Sequence, residues 1–117
     1  MPDRMQIMVS TTDGWNLALH HIPAVAESRG VMVMTHAMMA DHRSLDRPLG
    51  EGFASFFASR GWEVYLADFR GHGASQEPPE GREGWNYHDL VRFDVPALVQ
   101  VVRSRHPDLK VCFAGQS

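Results

Sequence analysis

Four consecutive apolar residues, Val31-Met32-Val33-Met34, stand between Gly30 and the pair Thr35-His36. A run this short, without polar alternation, fits a strand buried on both faces, which makes it an inner strand with parallel neighbours and helices on either side. Upstream, residues 5–10 and 15–23 are short, partly alternating runs flanking Thr11-Thr12-Asp13-Gly14, where Asp-Gly predicts an antiparallel hairpin. Downstream, Leu49, Phe53, Phe56 and Phe57 fall at helical spacing, and Arg60-Gly61 supplies a basic last turn and a left-handed cap. Residues 62–68 restore strand character, and a proline-bearing loop leads to Asn86, a candidate cap for a second helix with Asp89 in its first turn. That helix runs through Leu90, Leu98 and Val102 to about His106 and is closed by Pro107, while Pro96 inside it predicts a kink or a division. Residues 110–114 read as a further buried strand. The order β-β-β-α-β-α-β is that of an α/β fold, a hairpin leading into a parallel sheet, in which ligands gather at the carboxyl ends of the strands.

Such a sheet needs a core, and 44% of the 117 residues are apolar against 21% charged, enough for one compact unit over residues 1–117. A net charge of -3 without any block of like charge argues against nucleic acid as a partner. The single cysteine, Cys112, forms no internal disulfide and in mid-strand behaves as a small hydrophobe. Met1-Pro2-Asp3-Arg4-Met5 does not open a signal peptide, and no segment approaches the roughly 18 apolar residues of a membrane span. The expected location is cytoplasmic.

No cofactor or metal is expected. His20 and His21 are adjacent on a strand and point to opposite faces, His36 and His42 are separated by a loop, and neither a His-Glu-x-x-His motif nor a cysteine pair occurs. Gly71-His72-Gly73 is not a dinucleotide fingerprint, because Gln76 takes the place of the third glycine and Pro78-Pro79 follow where a helix should start.

Three strand ends carry unusual residues: His36-Ala37-Met38, then Asp68-Phe69-Arg70-Gly71-His72-Gly73-Ala74-Ser75, then Gly115-Gln116-Ser117. In order and spacing these resemble the N-terminal half of an α/β hydrolase, of the serine esterase or lysophospholipase kind. Gly115, Gln116 and Ser117 match the first three positions of the family's Gly-x-Ser-x-Gly nucleophile elbow. His36 matches the His-Gly that opens the oxyanion loop, with Ala37 replacing the glycine and Met38 at the position whose N–H helps bind the oxyanion. The Asp68–Ser75 stretch matches Asp-x-Arg-Gly-His-Gly-x-Ser, whose role in the family is structural. The resemblance therefore implies Ser117 as nucleophile, Met38 as oxyanion donor, and His36, Ala37, Asp68, Arg70, Gly71, His72, Gly73, Gly115 and Gln116 as loop-shaping residues. His72 and Arg70 are expected to fix their loop through hydrogen bonds to backbone and to Asp68.

The family's order is serine, then acid, then histidine, so both partners of Ser117 follow it, and none of the seven histidines here does. A serine without base or second oxyanion donor is a weak nucleophile, so this chain alone is expected to be inactive and its full-length form to be the enzyme, with a small ester-type substrate. The other reading is a non-catalytic truncated fragment or partner-binding module, self-associating through an exposed sheet edge.

Overall fold

The inner strand is where the sequence places it. The computed structural model describes residues 4–36, 40–75 and 84–115. They form a five-stranded sheet from β1 (Met5–Ser10), β2 (Asn16–Ile22), β3 (Gly30–Thr35), β4 (Trp62–Ala67) and β5 (Val111–Gly115), in the order β1-β2-β4-β3-β5. β3 pairs in parallel with β4 and β5, while β1–β2 and β2–β4 are antiparallel. Gly14, at φ +99°, closes the hairpin, with the Thr11 amide donating to the Trp15 carbonyl at 2.8 Å.

Both faces of β3 are covered, as a run without alternation requires. Val31 and Val33 join Trp15, Leu17, Leu19, Tyr65, Leu98 and Val102 on one face. Met34 joins Ile22, Val64, Leu66, Leu45, Ala54 and Ala58 on the other. Burial of Leu98 and Val102, both fully enclosed, contributes about 1.5–3 kcal/mol each.

Helix α1 (Phe53–Ser59) follows the expected apolar stripe only at Phe57, which is half-buried against the core: Leu49, Phe53 and Phe56 are exposed, and the fully buried residues are Ala54 and Ala58. The small pair, one turn apart, lets the helix lie close on an already filled sheet surface, whereas phenylalanines there would hold it away. Its end is as read: Gly61 has φ +93°, and a Cβ there would lie 2.9 Å from Arg29 Cγ.

The start of α1 is organised by Asp46, which is buried and accepts the amides of Gly50, Gly52 and Ser55 at 2.9, 2.9 and 3.1 Å, and also pairs with Arg4. Burial alone would raise its carboxyl; Arg4, Ser55 and the amides outweigh it and bring the pKa to about 2. An unfolded aspartate keeps 3.8, so the contribution is complete above that pH and is lost as pH falls toward 2. Urea midpoints should drop between pH 4 and 2.5, the Asp46 share being on the order of 2 kcal/mol. An Asp46→Asn variant with the same acid slope would contradict this.

Asn86 and Asp89 form a reciprocal capping box, Asp89 N to Asn86 Oδ1 at 3.1 Å and Asn86 N to Asp89 Oδ2 at 2.9 Å. The helix beyond is divided as Pro96 predicts: one turn α2 (Tyr87–Asp89), a wider π turn over Leu90–Asp94, then α3 (Val95–Arg105) with Pro96 in its first turn. Proline cannot donate to the carbonyl four residues back, and the widened turn lies directly before it.

Among the described residues β5 pairs only with β3, as the edge of the sheet; Phe113 is 44% exposed and Cys112 is half-buried.

Candidate functional site at the strand ends

Thr35 lies opposite Ala67 on β4 and Gly115 on β5, so three parallel strands end level. A methyl placed on Gly115 would meet Thr35 Oγ1 at 3.4 Å, so the β3 and β5 ends touch. His36 follows at once, and residues 68–75 rise from the end of β4. Ala37, Met38, Gln116 and Ser117 lie outside the described residues.

Asp68 is the hub of this edge. Completely buried, it accepts from His20 Nε2 at 2.8 Å, from His42 Nδ1 at 2.8 Å, and from the amides of His42 and Ala74 at 2.8 and 3.1 Å. Burial pushes its carboxyl up, and these bonds overcome it and hold the group well below the usual carboxylate range. The rings of His20 and His42 stack on each other, centroids 3.6 Å apart. Gly73, at φ +48°, is needed here because a Cβ would come within 2.5 Å of the Asp68 carboxyl. Ser75 is buried and ties the loop to β2: its Oγ donates to the Asp68 carbonyl and accepts the Ala18 amide, at 2.8 and 2.7 Å.

Arg70 does not reach Asp68. Its guanidinium, 1% exposed, bonds Asp94 through Nε at 2.8 Å and Asp13 through Nη1 and Nη2 at 2.8 and 2.9 Å, between the rings of Trp15 and Phe93. The sequence expectation fails because Asp68, two residues away, is already filled by amides and imidazoles, while the planar fork matches two distant carboxylates. Asp13 is drawn down by its bonds to Arg70, whereas burial outweighs the same partner and raises Asp94. One side chain thus clamps hairpin, loop and π turn.

His72 Nδ1 faces the Arg70 carbonyl at 2.9 Å, and its ring lies between those of His36 and Trp85. Gly71, at φ +76°, leaves room for Trp85, whose Nε1 a Cβ would approach to 2.8 Å. His36 is buried, and its Nε2 accepts the Phe69 amide at 3.1 Å. With that nitrogen on a backbone amide the ring braces the loop, and Gly115, Thr35 and the loop over residues 68–75 border one strand edge.

Two His-carboxylate groups escape sequence reasoning: His20, His42 and Asp68 on one face, and His21, Glu63 and His106 on the other. The adjacency of His20 and His21, which argues against a shared site, is what gives each face its own imidazole.

A mixed sheet with a hairpin edge, helices on both faces and these loops at the strand ends defines an α/β hydrolase. The family model for serine aminopeptidases of the S33 type matches residues 26–117, and the chain belongs to that family. It is 26% identical to mouse lipase member M over 93% of this chain and 29% of the relative, and 26% identical to human lipase member N over 93% and 31%. The chain thus spans about three-tenths of these relatives. Among solved structures it is similar to a Pyrococcus furiosus esterase, with TM-score 0.73 at 20% identity over 97% of this chain and 40% of that one. It is also similar to a Bacillus coagulans carboxyl esterase, with TM-score 0.75 at 19% identity over 97% and 36%. Among the described residues no helix is long and apolar enough to cross a membrane.

Proposed function

We propose that the complete protein is a serine hydrolase acting on small carboxylic esters, lysophospholipid-like esters included, through an acyl-serine intermediate. The observation that carries this reading is the position of Gly115: it ends β5 level with Thr35, directly before the sequence Gln116-Ser117 and beside the loop that begins at His36. In this reading Ser117 Oγ attacks the ester carbonyl carbon, and the Met38 N–H shares in binding the oxyanion. The tetrahedral intermediate collapses, the alkoxide leaves with the proton taken from serine, and water then releases the acid. The base and its orienting acid belong to the sequence after Ser117, as the family order places them. The reading includes a cytoplasmic location, supported by composition alone.

The relatives are named as lipases and the similar structures as esterases, which supports an ester over an amide substrate; the family model's description, an aminopeptidase, supplies the rival. Full-length protein should be labelled at Ser117 by a fluorophosphonate and should cleave p-nitrophenyl esters in preference to aminoacyl p-nitroanilides. Ser117→Ala should abolish labelling and reduce turnover by about 10⁴-fold or more. Labelling that survives Ser117→Ala, or turnover of anilides alone, refutes the assignment.

A further inference from the structure

We propose that His21, Glu63 and His106 form a binding site for a divalent transition metal of the zinc kind, at the end of the sheet opposite the strand ends that carry Thr35 and Gly115. Glu63 is the second residue of β4 and Ala67 its last, a rise of about 13 Å along the strand. His21 projects from β2 beside Tyr65, and His106 caps the end of α3. The group therefore joins a strand hairpin partner, an inner strand and a helix terminus that are far apart in sequence.

One donor atom from each of the three lies within 4.8 Å of the others. Two imidazoles and a carboxylate are the ligand set of many catalytic zinc centres, leaving a further position for water. A second observation is independent of this convergence. His21 is only 7% exposed; its Nε2 faces Glu63 Oε1 at 2.7 Å, and its Nδ1 has no hydrogen-bond partner among the described residues. Buried imidazole nitrogens are ordinarily paired. A cation ligated by Nδ1 would supply the missing interaction.

His106 completes the group at the helix terminus. Arg105 Nε donates to Tyr65 Oη at 2.9 Å, and Tyr65 Oη lies 2.6 Å from His106 Nε2, a contact that a metal bound through that nitrogen displaces. Burial favours the neutral form of both rings, which is the form that ligates. Arg105, exposed to solvent and bonded to Tyr65 Oη, opposes a cation at the group. The other histidine group is a weaker candidate, because the Asp68 oxygens already accept two imidazoles and two amides.

The test is titration of the purified protein with zinc, followed by calorimetry, and with cobalt, followed by its visible absorption. One equivalent should bind, and bound cobalt should give the intense bands of a low-coordinate site. Outer-shell partners of metal ligands are worth about 10–100-fold in affinity, so losing a direct ligand in His106→Ala or Glu63→Gln should weaken binding by at least about 100-fold. Both variants should keep the wild-type circular dichroism, since both positions are at the edge of the core. Arg105→Ala should tighten binding, and His88→Ala, on an exposed ring, should leave it unchanged. Absence of binding at millimolar zinc overturns the proposal. So does undiminished binding by folded His106→Ala and Glu63→Gln, or loss of binding on replacing His42 instead.

Discussion

Arg70→Met should lower the free energy of unfolding by about 3–5 kcal/mol, the usual consequence of removing one partner from a buried ion pair. The methionine fills similar space between Trp15 and Phe93 but leaves Asp94, which is fully buried, with a charge that nothing else in the clamp neutralises. Such a loss is a large share of the roughly 5–15 kcal/mol that holds a small domain together. Asp94→Asn in the Arg70→Met background should restore part of it, because the amide carries no charge and its oxygen still accepts the residue 70 amide, as Asp94 Oδ2 does at 2.9 Å. Arg70→Lys should recover little, since an ammonium cannot present the fork that reaches Asp13 and Asp94 together. The measurement is equilibrium denaturation by urea at pH 7. A loss below about 1 kcal/mol, the range of an exposed pair, would show that the guanidinium is not enclosed as described.

The second large effect is expected at Asp68. Asp68→Ala removes the acceptor of His20, His42 and the amides of His42 and Ala74 at a completely buried position. Several orphaned donors at about 1–3 kcal/mol each, with partial relief by movement, amount to a loss of about 3–5 kcal/mol. Asp68→Asn should fall between, because one oxygen still accepts while the new NH₂ meets donors. The imidazole resonances of His20 and His42 report on the same change: in both variants the two rings should lose their distinct, slowly exchanging N–H signals. Retention of those signals in Asp68→Ala would mean that the stacked rings are held by something other than the carboxylate. On the ester-hydrolase proposal, the same variant in the full-length protein should reduce turnover, since Asp68 holds the loop that rises next to the Thr35–His36 end.

Local chemistry was legible in the sequence wherever one residue decides one conformation. The Asp13-Gly14 turn, the Gly61 cap, the Asn86 cap and the division at Pro96 each follow from backbone geometry that only a few side chains satisfy. The inner position of β3 followed from its unbroken apolar run, which suits a strand covered on both faces. The three strand-end motifs were legible as well, although Met38 and Ser117 lie outside the residues whose geometry is described.

What the sequence by itself determined, then, was the kind and order of elements, the chain reversals and the family. Tertiary structure alone decided which partner each polar group takes. Arg70 bonds residues 57 and 24 positions away rather than its neighbour Asp68, and His20 and His21 enter different groups on opposite faces. It also decided that Ala54 and Ala58 are the most deeply buried residues of α1, with Phe57 half-buried beside them and Phe53 and Phe56 exposed. The physical reason is the range of the forces concerned: turn and period preferences act within a few residues, whereas the pairing of a buried charge depends on register and layer packing, which exist only once the sheet has formed.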